Sequence, residues 1–246
     1  MKLSFKQFLQ EREVDTKIEY HDTLNPKIWE GLFLKEKVKE ALKKIANEFI
    51  SFLEISSNSV KDIIITGSNC GFNYSELSDI DLHLVIDFDT SDVCPSCTGD
   101  FIKDCFQAKK TLWNENHEIT IYGYDVELYA QDAAEQHIAP GVFSLTNDDW
   151  IIKPEYKVPS YDDFSVKAKA GEIMDQIDSF IESNSDDISG IKDVKDKIRK
   201  MRQAGLEGVG LYSTENLTFK TLRNNGYLEK LSSYLTKIED SSLSLI

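Results

Sequence analysis

Ser78-Asp79-Ile80-Asp81-Leu82-His83-Leu84-Val85-Ile86-Asp87-Phe88 is the stretch that decides the fold. Ile80, Leu82, Leu84 and Ile86 alternate with Asp79, Asp81, His83 and Val85, which is the period of a β-strand. One face belongs to a core and the other starts acidic. Because Asp79 and Asp81 stand two positions apart, a strand projects both carboxylates from the same face, close enough to share a hard cation such as Mg²⁺. Upstream, Val60-Lys61-Asp62-Ile63-Ile64-Ile65-Thr66 has the continuous β-branched character of a buried strand, and Gly67 ends it. Gly67-Ser68 therefore sits at a strand end, where bare backbone N–H groups and a hydroxyl can hold a phosphate.

Working outward, residues 34–53 repeat Val38, Leu42, Ile45 and Phe49 on one face and Lys and Glu on the other, predicting an amphipathic helix, with a further helix start at Asn25-Pro26. Residues 99–113 predict a helix and 117–131 a third alternating strand. Pro154 and Pro159 mark a linker, beyond which 162–183, 186–204 and 214–237 are helical, with Gly190, Gly205, Gly208, Gly210 and Gly226 as punctuation. The fold class is α+β. A small mixed sheet with helices over 15–155 precedes a helical lobe over 156–246, and residues 1–14 form an amphipathic tail.

The chain has 246 residues, 41% of them hydrophobic, which is enough for one sizeable core and a second, smaller unit. A formal net charge of -15 argues against broad nucleic-acid binding, since a polyanion repels an acidic surface. No apolar run approaches the ~20 residues that span a bilayer, and no secretory leader is evident, so the chain reads as soluble and intracellular, with no membrane partner.

Of the four cysteines, Cys94 and Cys97 have metal-ligand or redox spacing, but their polar flanks resemble a surface loop. Reduced loop thiols are the favoured reading. A zinc site with Cys105 and a distant His is the alternative. Lys109, Lys110 and the run Lys192, Lys195, Lys197, Arg199, Lys200 and Arg202 could grip a phosphate backbone, although such clusters are commonly solvated helix faces. Lys220 and Arg223, three apart on a helix, point the same way as candidate nucleotide contacts. His83 lies on the face of Asp81 and reads as a hydrogen-bonded structural residue or a substrate contact.

Ile65-Thr66-Gly67-Ser68 followed, after ten residues, by Asp79-Ile80-Asp81-Leu82 resembles the Gly-Ser and Asp-x-Asp signature of the DNA polymerase beta-like nucleotidyltransferase superfamily. The resemblance implies that 15–155 is a catalytic domain and 156–246 a substrate-binding lobe. It implies that Gly67 and Ser68 bind an NTP such as ATP, and that Asp79 and Asp81 bind Mg²⁺ or Mn²⁺. A third carboxylate is wanted on a later, neighbouring strand. Glu127 is the choice because Val126 and Leu128 set it mid-strand, and Asp125, on the same face, stays open. The implied reaction moves an NMP to an acceptor hydroxyl, on an RNA 3′ end such as that of tRNA, on a protein or on a small molecule. A nucleotide- or host-factor-binding protein without turnover is the other class.

Asp22-Thr23-Leu24-Asn25-Pro26, Ala108-Lys109-Lys110-Thr111-Leu112-Trp113, Glu127-Leu128-Tyr129-Ala130-Gln131 and Glu215-Asn216-Leu217-Thr218-Phe219-Lys220 extend the likeness over most of 20–235, to nucleotidyltransferase-fold proteins of large tailed bacteriophages. That resemblance implies a place in the cytoplasm of an infected bacterium. Residues 1–11 are similar to capsid-targeting peptides that are clipped after a hydrophobic-x-Glu triplet, here Leu9-Gln10-Glu11. An ordinary amphipathic helix is the favoured reading, and packaging in the virion head is the alternative that the resemblance implies.

Overall fold

The computed structural model describes residues 19–88, 94, 96–135 and 139–244. The tail 1–14 and its Leu9-Gln10-Glu11 triplet lie outside them. The chain is α+β, with a mixed sheet and, among the described residues, six α-helices. It divides into two compact units, Glu19–Val158 and Pro159–Ile246.

In the first unit, helix α1 (Glu36–Leu53) buries Val38, Leu42, Ala46, Phe49, Ile50 and Leu53 along one stripe. Ile45 stands at its margin, only partly buried. The last carbonyls of α1 have no partner within the helix, and the Lys109 ammonium donates to those of Phe52 and Leu53 at 3.4 and 3.1 Å. This capping role absorbs Lys109. The Asn25-Pro26 helix start is corrected. The Asn25 carbonyl accepts the N–H groups of Ile28 and Trp29 in a turn, which leads into a two-stranded hairpin of β1 (Trp29–Glu30) and β2 (Phe33–Leu34).

The main sheet runs β5 (Thr120–Ile121), β6 (Tyr124–Asp132), β4 (Ile80–Ile86), β3 (Val60–Thr66), β7 (Val142–Ser144), β8 (Asp149–Ile152). β3 and β4 are antiparallel, while β4 and β6 are parallel and are joined through helix α2 (Gly99–Asn116), the connection parallel neighbours require. The predicted strand over 117–131 is a hairpin. Tyr122 (φ 52°) and Gly123 (φ 87°) form a two-residue turn with both residues at positive φ, as a type I′ turn needs, and the buried positions shift there from Ile121 to Tyr124, Val126 and Leu128 as the chain reverses. β7 and β8 are too short and irregular for periodicity to reveal.

Helix α2 buries Ile102, Phe106 and Trp113 in the core of this unit and is capped by Thr98, which accepts from Phe101 N–H. Asn114 on α2 both donates to the Leu128 carbonyl (3.2 Å) and accepts from the Leu128 N–H (3.1 Å), covering the edge of β6 that the short β5 leaves open. Cys94 and Cys97 are joined by a disulfide, correcting the reading as reduced thiols and leaving neither a thiolate for zinc. Two positions three apart, with Cα atoms 5.3 Å from each other, lie within bridging distance. Cys70 is buried and Cys105 exposed, both as thiols.

The second unit contains α3 (Asp163–Glu182), α4 (Ile188–Gly208), α5 (Thr214–Asn224) and α6 (Tyr227–Leu243). Asp162, Asp187 and Ser213 cap the first three by accepting from the N–H groups of Phe164, Gly190 and Asn216. The stretch 214–237 is broken at Asn225-Gly226, giving two helices where the pattern ran as one. Ala170, Ile173, Met174 and Ile177 pack with Ile191, Val194, Ile198, Leu222, Leu231 and Leu235 in a core of its own.

Candidate functional site

Gly67 ends β3 with φ 80° and ψ -165°, a conformation open only to glycine. A Cβ at this position would stand 1.8 Å from Asp81 Oδ2, so the backbone of the strand end lies directly against that carboxylate. Register explains the contact, because Thr66 and Asp81 are opposite one another in the antiparallel β3/β4 pair. The chain then enters a short 3₁₀ turn, Ser68–Cys70. The Ser68 hydroxyl donates to Ser78 Oγ at 2.7 Å, and Ser78 Oγ also accepts from the Ser75 N–H at 2.9 Å. The donor expected for phosphate is thus engaged within the chain, tying the Gly-Ser turn to the residue before Asp79.

A second tie escaped the sequence reading. Asn69, 2% exposed, donates to the Asp79 carbonyl at 2.9 Å, while its own side-chain oxygen accepts from Asn25 (2.8 Å) and its carbonyl from the Trp29 indole N–H (2.7 Å). Buried amides satisfied in this way hold the loop in one geometry. The signal was present in the short polar residues Asn25 and Asn69, but nothing in the linear chain pairs positions 44 apart.

The parallel β4/β6 register sets Asp81 opposite Glu127, His83 opposite Tyr129 and Val85 opposite Gln131. Asp79, Asp81, His83, Glu127 and Tyr129 are all half-buried on one face. Asp125 is exposed at the hairpin end, opposite Thr120, which puts Glu127 and not Asp125 beside Asp81. The Tyr129 hydroxyl donates to Glu127 Oε2 at 2.5 Å. Burial, and then the charges of Asp81, Glu127 and Asp79, push the Tyr129 phenol far above its ordinary range, so it remains a donor. His83 stacks on the Tyr129 ring at 4.5 Å and its Nδ1 lies 2.7 Å from Gln131 Oε1, the hydrogen-bonded structural role of the two considered. Lys110 Nζ sits 4.0 Å from the centre of the same ring. Beneath the face, burial and then the Asp81 charge raise the Cys70 thiol.

Among the described residues, no three His, Cys, Asp or Glu side chains are gathered closely enough to hold one metal ion. The donors on the face are nonetheless carboxylate oxygens, the kind a hard cation takes, and the absent side chain of Gly67 leaves the backbone against one of them. The residues fit Mg²⁺ or Mn²⁺ in kind.

Lys220 and Arg223 belong to α5 in the helical unit. Burial, then the neighbouring cations Arg223 and Arg202, bring the Lys220 ammonium down to about 8. The Arg202 guanidinium lies 4.3 Å from the centre of the Phe219 ring. Elsewhere in the basic run Lys192 pairs with Glu239, and Arg199 and Lys200 share Asp196. Those residues behave as a solvated helix face.

No protein-family model matches the chain, and no curated protein or solved structure matches it significantly. No helix among the described residues is long and apolar enough to cross a membrane.

Proposed function

We propose that the chain is a metal-dependent nucleotidyltransferase, moving an NMP from an NTP such as ATP to an acceptor hydroxyl with release of pyrophosphate. The observation that carries this reading is the closure of Gly67 onto Asp81 beside Glu127, an acidic face abutting a Gly-Ser turn. The finer fold, a nucleotidyltransferase lobe carried in a phage-encoded protein of the infected cell, is part of the same proposal. It is supported by the Gly-Ser and Asp-x-Asp resemblance.

Asp79, Asp81 and Glu127 would hold Mg²⁺ or Mn²⁺, which supplies neutralisation of triphosphate charge and a more acidic acceptor hydroxyl when bound. Gly67, lacking a side chain, lets the Asp81 carboxylate close against the turn, and Ser68, set by Ser78 at the mouth of the turn, would meet a phosphate. The acceptor oxygen bonds to the α-phosphorus while the bond to the bridging oxygen breaks, its electron pair leaving with pyrophosphate. The acceptor proton passes to a carboxylate of the face or to water.

The acceptor is an RNA 3′ end such as that of tRNA, or a hydroxyl of a protein or small molecule, and the net charge of -15 favours the latter pair. The test is incubation with each α-labelled NTP, Mg²⁺ or Mn²⁺, and separate RNA, protein and metabolite pools. Label in one pool names the acceptor. An Asp79→Ala/Asp81→Ala variant that transfers NMP at the wild-type rate refutes the reading, and no label in any pool favours a nucleotide- or host-factor-binding protein.

A further inference from the structure

We infer that Tyr129 is a positioning residue for Glu127, its hydroxyl orienting the carboxylate that faces Asp81. The inference rests on the metal-binding reading above. Tyr129 is two positions beyond Glu127 on the same face of β6, and its hydroxyl meets Glu127 Oε2 at 2.5 Å. One carboxylate oxygen is thereby engaged and the plane of the group set, which is how residues behind a ligand orient it.

The ring itself is held from two further elements. His83, its register partner on β4, stacks on it with an interplanar angle of 20°, and Lys110 reaches it from α2. One turn further along α2, Asn114 grips both backbone groups of Leu128, so the helix that presents Lys110 is keyed to the residue adjacent to Tyr129. Packing alone asks only for a phenylalanine here. The hydroxyl is what the Glu127 carboxylate receives, and a charge-assisted hydrogen bond on a half-buried face is stronger than one in water.

Mn²⁺ alone is titrated into the full chain, with free Mn²⁺ followed by electron paramagnetic resonance and folding checked by circular dichroism melts in EDTA. The proteins are the wild type, Asp81→Asn, Glu127→Gln, Tyr129→Phe and the Glu127→Gln/Tyr129→Phe double variant. Asp81→Asn is expected to lose binding, and Tyr129→Phe to weaken it by roughly tenfold or more. The double variant is expected to be no weaker than Glu127→Gln, because Tyr129 acts through that carboxylate.

Wild-type affinity in Tyr129→Phe, or losses that add in the double variant, overturns the positioning role and leaves the metal site standing. A wild type that takes up no Mn²⁺, or an Asp81→Asn variant that binds as well, overturns the metal reading and this inference with it. Should Tyr129→Phe not fold, Lys110→Met and His83→Leu loosen the ring while keeping the hydroxyl. Weaker Mn²⁺ binding in those variants supports the proposal and unchanged binding in both overturns it.

Discussion

Gly67 meets two demands that no other residue can meet together, a backbone at φ 80° and room for the Asp81 carboxylate where a Cβ would be. Gly67→Ala is expected to cost at least ~1–3 kcal/mol from backbone strain alone and to abolish Mn²⁺ binding by displacing Asp81, measured by urea unfolding and Mn²⁺ titration. Lys220 carries a cost of a different kind. Its ammonium falls to about 8 in the folded chain, against 10.5 for the free group, so between those values the unfolded chain binds more protons and stability rises with pH. Below pH 8 both states are protonated, and the folded one bears the full penalty of burying a cation near Arg223 and Arg202. Lys220→Met is therefore expected to stabilise the fold at pH 7 by on the order of 2 kcal/mol and to remove the rise between pH 8 and 10 seen on comparing urea midpoints. That Asp79, Asp81, Gly67 and Ser68 deserved attention was legible from spacing alone. The engagement of the Ser68 hydroxyl by Ser78 was not, because that hydrogen bond depends on how a ten-residue excursion closes.

At the scale of the element, α1, β4, α2 and α3 were legible because each buries one face, and burial imprints a period on the chain, while β3 was legible from its continuous β-branched run. The third strand was misread for the same reason. Each half alternates, but the apolar phase moves from the odd positions Ile119 and Ile121 to the even positions Tyr124, Val126 and Leu128, because the residues flanking a two-residue turn are paired on one face. Asn114 shows what one polar side chain can do for a strand edge. Asn114→Ala is expected to leave the Leu128 N–H and carbonyl without their partner and to cost roughly 1–3 kcal/mol, checked by chemical denaturation. Asn69→Ala removes the bond to the Asp79 carbonyl and the acceptor of Asn25. It is expected to destabilise by a similar amount, about 1–3 kcal/mol, and, under the proposed function, to lower NMP transfer more than the loss of stability explains. Transfer assayed well below the melting temperature separates the two effects.

On the scale of the whole molecule, two hydrophobic clusters, one in each compact unit, mean that each unit buries apolar surface on its own account. The fragment 159–246, expressed alone, is expected to be helical and to melt cooperatively. A circular dichroism melt that shows a coil, or a broad non-cooperative loss of signal, would contradict it. The charge of -15 acts at this scale as well, and predicts that any RNA binding is confined to low ionic strength, lost on raising salt in a filter-binding assay. By itself, the sequence determined the α+β class, the acidic strand and the glycine before the turn, because these rest on local periodicity and local backbone freedom. Only the tertiary structure decided that Glu127 and not Asp125 faces Asp81, that Tyr129 holds Glu127, and that Asn25 and Asn69 brace the turn. Those pairings depend on strand register and on contacts between distant positions, where the energy belongs to the pair of residues and leaves no pattern in either segment read alone.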